Sequence, residues 1–210
     1  MEINLRHFFA LAEIAATGRI AAAAERVYMS QSALTQALRK LEDAAGVPLF
    51  DRAGFGVVET AAGKTLVRRS LRALELLTQA EREIRARQSL TRHATASQLR
   101  ALVAVVETGG YSTAARRLGL AQPTVHRAAK DLENLVGVEL FPRAARGVEP
   151  TDAARNLARY ANLVFTEIRQ GFEEIRESLG RSDGRIAIGS LPLVRSEFLP
   201  TAVTRLLARY

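Results

Sequence analysis

The sequence predicts a mainly α-helical chain in which one small domain occurs twice. Three observations carry that expectation. Apolar residues recur at three- and four-residue spacings through most of the 210 residues, the period of a helix with one buried face. The phrase "SQSALTQALRKLE" at residues 30–42 is echoed by "AQPTVHRAAKDLE" at residues 121–133. Residues 20–63 also align on residues 111–154 without a gap at about 40% identity, which marks an internal duplication with a period too long for a solenoid repeat.

The first copy opens with a helix over residues 5–16, apolar at Leu5, Phe8, Phe9, Leu11 and Ala12. Gly18 breaks it, and a short Ala-rich helix follows over 20–27. A turn at Tyr28 and Met29 leads to Ser30, an N-cap for a third helix that runs to Ala45 and stops at Gly46. Leu34, Leu38 and Leu41 fall on its core side, and Ser32, Thr35, Gln36 and Arg39 on the other. A short strand at 49–51, a Gly-containing turn at 53–56 and a strand at 57–59 make a hairpin. Thr60 then caps a long helix reaching about Thr91, with Leu66, Leu71, Leu74, Leu77 and Ile84 on its apolar side.

The second copy repeats this order. "LRALVAVVE" at 99–107 corresponds to "LRHFFALAE" at 5–13 after a three-residue shift. Its long helix spans about 151–179, with Leu157, Tyr160, Val164, Ile168, Phe172, Ile175 and Leu179 spaced like a coiled-coil seam. The polar stretch "RSDG" at 181–184 reads as a linker. After it come a buried strand at 185–189, a turn and an amphipathic helix. The expected domains are therefore 1–63 and 95–151, their linker helices 64–94 and 152–180, and a C-terminal βα piece at 181–210.

Composition narrows the function. Basic residues outnumber acidic ones 30 to 22, a balance that favours polyanionic partners. Residues 96–180 are close to neutral, so a polyanion contact there needs a local patch. There is no cysteine, which excludes disulfides and thiolate metal sites. No window approaches the ~18 consecutive apolar residues of a membrane span. Charges at Glu2, Arg6 and Glu13 interrupt any signal-peptide core, so the expected location is the cytoplasm, with no membrane contact. His7, His93 and His126 lack metal-ligand spacing. "GKT" at 63–65 has Val58 where a phosphate loop needs glycine, "GFG" at 54–56 reads as a hairpin turn, and no nucleophile stands beside a base. Neither an enzyme nor a cofactor is expected.

Helix, short helix, tight turn, helix and hairpin in this order form a winged helix-turn-helix. In that motif the second helix of the pair enters the major groove of double-stranded DNA while the first braces it. Small residues are needed where the two cross, and Ala22–Ala24 and Ala114–Ala115 supply them. The outward polar, non-acidic faces of the third helices are the candidate base-reading surfaces. These are Ser30, Gln31, Ser32, Ala33, Thr35 and Gln36 in the first copy and Gln122, Pro123, Thr124, His126 and Arg127 in the second. Arg39 and Lys130 lie further along, within reach of phosphate. Arg52 and Arg143 suit either a wing contact or a structural pairing with Glu42 and Glu133. Arg146 lies at the tip of the second wing, where the first has Phe55. A competing reading makes the second copy a dimerisation or protein-interaction module that has lost DNA contact.

These residues resemble the DNA-binding domain of LysR-type transcriptional regulators. The first copy supplies Ala23-Ala24, the run from Ser30 to Thr35, Leu41-Glu42, Gly46, Leu49-Phe50, Arg52 and the run from Thr60 to Gly63. The second supplies Ala114-Ala115, the run from Gln122 to Val125, Leu132-Glu133, Gly137, Leu140-Phe141, Arg143 and the run from Thr151 to Ala154. There are departures: Ser32 stands where proline is commonest, and Ala121 where the family has its capping serine. His126 stands where serine or threonine is usual, and two such domains occur where ordinary members carry one.

The resemblance implies a sequence-specific transcriptional regulator whose linker helices pair. The expected assembly is a homodimer, because the seam at 157–179 is long enough to need a partner; an intrachain pseudo-dimer is the alternative. The C-terminal βα piece resembles the start of the family's effector-binding domain, which has a periplasmic-binding-protein-like fold. That domain is expected to be truncated here, or its first unit to pack on the linker helices. Ser190 and Ser196 stand where family members often contact a small-molecule effector, although a turn and a helix cap account for them better in this chain. An effector is expected only with a full C-terminal domain.

Overall fold

A computed structural model describes residues 4–142, 148–181 and 197–207. In chain order, α1 (Leu5–Thr17), α2 (Ile20–Arg26), α3 (Gln31–Ala45), β1 (Phe50–Ala53) and β2 (Gly56–Glu59) build a first head. Linker helix α4 (Ala61–Glu83) and the short α5 (Leu90–His93) follow it. The second head contains α6 (Ala96–Thr108), α7 (Tyr111–Leu118) and α8 (Gln122–Val136), and its linker helix is α9 (Asp152–Ser178). α10 (Phe198–Leu207) closes the described chain, most of its side chains exposed. The chain is mainly α-helical, as the apolar spacing indicates. The strand at 185–189, Ser190, Ser196, Arg143 and Arg146 lie outside the described residues.

Local chemistry explains the element ends. The Asn4 side chain accepts from the Arg6 amide ahead of α1. Ser30 Oγ accepts from the Ala33 amide at 3.2 Å and caps α3. Thr60 and Thr151 accept from the Gly63 and Ala154 amides and open the two linker helices. Thr95 and Gln98 form a reciprocal capping box at α6. Ala121 offers α8 no such bond, although Pro123 sits in its first turn. The hairpin pairs Phe50 with Glu59 through Ala53 with Gly56, and the Val57 amide donates to the Gly18 carbonyl at 2.8 Å, fixing the wing to the end of α1.

The core is nearly continuous through both heads, because α4 and α9 pack on each other as an antiparallel pair. Leu66, Ala73, Leu77 and Ala80 of α4 are buried, as are Leu157, Tyr160, Ala161, Val164, Ile168 and Ile175 of α9. Each fully buried Leu or Ile contributes ~1.5–3 kcal/mol before entropy is set against it. A Cβ at Gly171 would stand 2.9 Å from Leu66 Cδ1 and 3.2 Å from Arg69 Cβ. Glycine inside a helix costs about 1 kcal/mol against alanine, and here it lets the helices approach closely.

The contacts of this pair are reciprocal. Arg69 of α4 donates to Glu167 at 2.7 Å and to Glu174. At the other end the Tyr160 hydroxyl of α9 donates to Glu83 of α4. Tyr160 holds the repeat position of Arg69, and Glu174 that of Glu83. The far end of each linker also touches the opposite head. The Arg87 amide, beyond α4, donates to the Val136 carbonyl of α8 at 2.7 Å. The Arg181 guanidinium, beyond α9, lies 3.3 Å from where a Cβ on Gly46, at the end of α3, would stand. Phe8 of α1 meets Phe172 of α9 edge to face, with centroids 6.3 Å apart.

Three expectations need correction. Linker helix 1 does not reach Thr91. It ends at Glu83, and Arg85 adopts φ +53. Glu81 then accepts from the Ser89 hydroxyl and the Thr91 amide, and Leu90 is fully buried. The chain must turn there because it has met the second head. Leu71, placed on the apolar stripe, is 47% exposed; Val67 and Leu76 are buried on the inner face instead. Finally, the 157–179 seam does not lack a partner. α4 covers it within the same chain, so the intrachain pair replaces the physical argument for a homodimer, and only Leu179 at its end stays exposed.

Candidate nucleic-acid interface

Each candidate reading face points outward because the opposite face of its helix is held. α3 buries Leu34, Ala37, Leu38, Leu41 and Ala45. α8 buries Val125, Ala129, Leu132, Glu133 and Val136. The crossing points with α2 and α7 are Ala23, Ala24, Ala114 and Ala115, all buried. The turns before α3 and α8 each contain a left-handed residue. Gly119 supplies it in the second copy at φ +66, whereas the first copy has Tyr28 at φ +52. A non-glycine residue in that region carries on the order of 1 kcal/mol or more of strain, and the Tyr28 side chain is 82% exposed.

On the first head Ser30, Gln31, Ser32, Gln36 and Arg39 are exposed, with Ala33 and Thr35 half-buried. Gln31, Ser32, Ala33, Thr35, Gln36 and Arg39 line one open surface depression. The Ser30 and Ser32 hydroxyls share a hydrogen bond at 3.0 Å, and the Thr35 hydroxyl donates to the Gln31 carbonyl at 2.8 Å. Among the described residues the Gln31, Gln36 and Arg39 side chains make no hydrogen bond or ion pair within the chain, which leaves their donors and acceptors available. Arg52 is exposed on β1 and likewise forms no ion pair among the described residues. Glu42 instead accepts from the Leu49 amide at 2.9 Å, so the structural pairing of Arg52 is not what the fold uses. Phe55, at the wing turn, is 99% exposed.

The second head has different chemistry at the matching positions. Gln122, Pro123, Thr124, His126 and Arg127 are exposed. The Ser112 hydroxyl donates to Gln122 Oε1 at 3.1 Å. The His126 ring meets Tyr111 edge to face with centroids 4.8 Å apart, which restricts its rotamer. Lys130 is not free like Arg39, because it pairs with Glu133. Glu133 also accepts from the Leu140 and Phe141 amides at 2.9 and 3.1 Å. Burial by itself pushes the Glu133 carboxyl up. The Lys130 bond and the two amides outweigh burial, so the net direction is down.

Sequence reasoning missed two features here: the exposed, strained Tyr28 and the tie between Lys130 and Glu133. The first had a signal, since Tyr28 aligns with Gly119. The described residues contain no cluster of three metal-ligating side chains and no helix long and apolar enough to cross a membrane.

The sequence profile of bacterial regulatory helix-turn-helix proteins of the lysR family matches the chain twice, over residues 5–64 and 96–155. The HTH-type transcriptional regulator GalR of Pseudomonas putida is 33% identical over 208 residues, covering 99% of this chain and 52% of that protein. The small neutral protease regulatory protein of Streptomyces coelicolor is 36% identical over 92 residues, 44% of this chain and 28% of its own. A crystal structure of the CbnR DNA-binding domain with DNA aligns at 32% identity and a TM-score of 0.37, covering 40% of this chain and 95% of that one. The chain thus spans about half the length of GalR and a smaller share of the Streptomyces protein.

Proposed function

The chain belongs to the lysR family of bacterial helix-turn-helix regulatory proteins, and from this we propose that it is a sequence-specific transcriptional regulator that binds operator DNA through α3 and α8. The observation that carries the reading is the face of α3: a capped helix, anchored by Leu34, Leu38 and Leu41, that leaves Gln31, Gln36 and Arg39 exposed and unengaged. Gln side chains match the paired donor and acceptor of adenine in the major groove, and short hydroxyls serve either base pair. Arg39 and Arg52 supply phosphate contacts that set register without reading sequence. Tyr28, held at the turn into α3, joins them with its hydroxyl. Residues 1–63 and 95–151 act as the reading heads, and the linker helices that follow set their spacing.

The tie between Lys130 and Glu133 favours a second reading, in which only α3 touches DNA and α8 faces a protein. Fluorescence anisotropy with duplexes enriched from a random library separates the two. Gln31→Ala and Arg39→Ala weaken binding under either reading, and unchanged affinity in both refutes the reading face. Arg127→Ala weakens binding only if α8 also reads DNA.

A further inference from the structure

We propose that one chain is a complete two-headed reader, which binds one chain to one duplex at a target with two unlike boxes and no dyad symmetry. The proposal rests on the reading of α3 and α8 as DNA-contacting helices, and it specifies their target and stoichiometry.

An isologous dimer interface is recognised by reciprocal contacts: residue i meets j, and j meets i. The α4–α9 pair has this property inside one chain. Arg69 with Glu174 and Tyr160 with Glu83 are the same two repeat positions met in opposite order. The ends also cross, with Arg87 on the second head and Arg181 beside the first, although these two are not equivalent repeat positions. Because the two linker helices cover each other's apolar faces, neither presents a continuous apolar seam to a second copy among the described residues. Leu71 and Leu163, on their outer sides, are isolated exposures.

The geometry also sets a span. In the antiparallel register, Thr60 and Thr151, where the heads join their linkers, are separated by roughly 29 residues of helical rise, about 44 Å. Two major-groove segments one helical turn apart lie ~34 Å from each other, a distance of the same order.

A homodimer reads a palindrome because its two heads are identical. Here Gln31 is kept as Gln122, but Ser32, Ala33, Thr35, Gln36 and Arg39 become Pro123, Thr124, His126, Arg127 and Lys130. Gln36 on the first face pairs with adenine, and Arg127 at the same position on the second pairs with guanine. The target is therefore a double-stranded DNA with an adenine-containing box under α3 and a guanine-containing box under α8, in fixed order.

Selection from a random duplex library, with light scattering of the free chain and of the complex, tests this. The free chain should scatter at its own 22.9 kDa, and each selected duplex should hold one chain. The consensus should lack dyad symmetry. Gln36→Ala should relax one box only, and Arg127→Gln the other only, each weakening its preferred duplex roughly tenfold. A free chain at twice its mass, or a palindromic consensus holding two chains, overturns this proposal and leaves the DNA-reading function standing. If no sequence is enriched, the DNA-reading function fails and this proposal falls with it.

Discussion

Replacing Arg39 and Lys130 in turn measures the electrostatic difference between the two heads. Arg39 is exposed and pairs with nothing among the described residues, whereas Lys130 is held by Glu133, whose side chain is only 11% exposed. A cation that neutralises one phosphate adds about 0.9 to the slope of log affinity against log salt. At ~0.1 M salt that corresponds to ~1.2 kcal/mol, or roughly an eightfold change in affinity. Arg39→Ala should lose that whole amount. Lys130 must leave Glu133 to reach phosphate, and giving up such a pair forfeits ~0.3–0.5 kcal/mol or more. Lys130→Ala should therefore reduce affinity by a smaller factor, roughly three- to fivefold, and change the slope by less than Arg39→Ala does. The assay is anisotropy of a labelled duplex from ~50 to ~200 mM salt, a range over which log affinity is linear in log salt. An unchanged slope in Arg39→Ala, or an equal effect of Lys130→Ala, would refute the reasoning.

Other expected outcomes concern the scaffold. Glu133→Ala leaves the Leu140 and Phe141 amides without their acceptor and should destabilise the chain by ~2–4 kcal/mol in urea melts. Because folding lowers the Glu133 pKa, its contribution is present above the ordinary carboxylate range and disappears as pH falls through the lowered value. The stability gap to Glu133→Gln should accordingly narrow below a pH of ~4. Ser30→Ala should cost about 1 kcal/mol and Ala121→Ser should gain a similar amount by adding the missing cap; equal shifts of the same sign in thermal melts would contradict both assignments. Tyr28→Gly should stabilise the fold by about 1 kcal/mol through relief of its left-handed backbone while weakening DNA binding, and a loss of stability would show that the side chain serves packing. Arg69→Ala should lower stability by ~1–2 kcal/mol, since it strips Glu167 and Glu174 of a half-buried partner; double-mutant cycles with Glu174→Ala measure the coupling.

Much of this molecule is local and was legible residue by residue. Ser30, Thr60 and Thr151 cap helices because a hydroxyl beside three free amides does so in any context. Leu34, Leu38 and Leu41 face inward because their spacing leaves no other side to bury. The same locality made the outward faces of α3 and α8 readable, and the repeat itself placed the second head. Even Tyr28 was within reach, through its alignment with Gly119.

What tertiary structure decided is which faces meet. A heptad-like stripe at 157–179 states that something must cover it, but not whether the cover is a second copy or α4 of the same chain. That choice depends on the reach of residues 84–151 between the two helices and on the fit of Gly171 against Leu66. Linker helix 1 stops at Glu83 because the chain meets the second head there, a steric fact that the leucines at 66–77 do not encode. Lys130 and Arg39 occupy the same repeat position, yet one is tied and the other free. The carboxylates that follow them also correspond, but only Glu133 takes up the lysine while accepting two amides. The sequence by itself determined two heads and which faces of α3 and α8 point outward. The pairing of those heads within one chain, and the unequal charge they present, were decided by contacts between residues far apart along it, which no local period records.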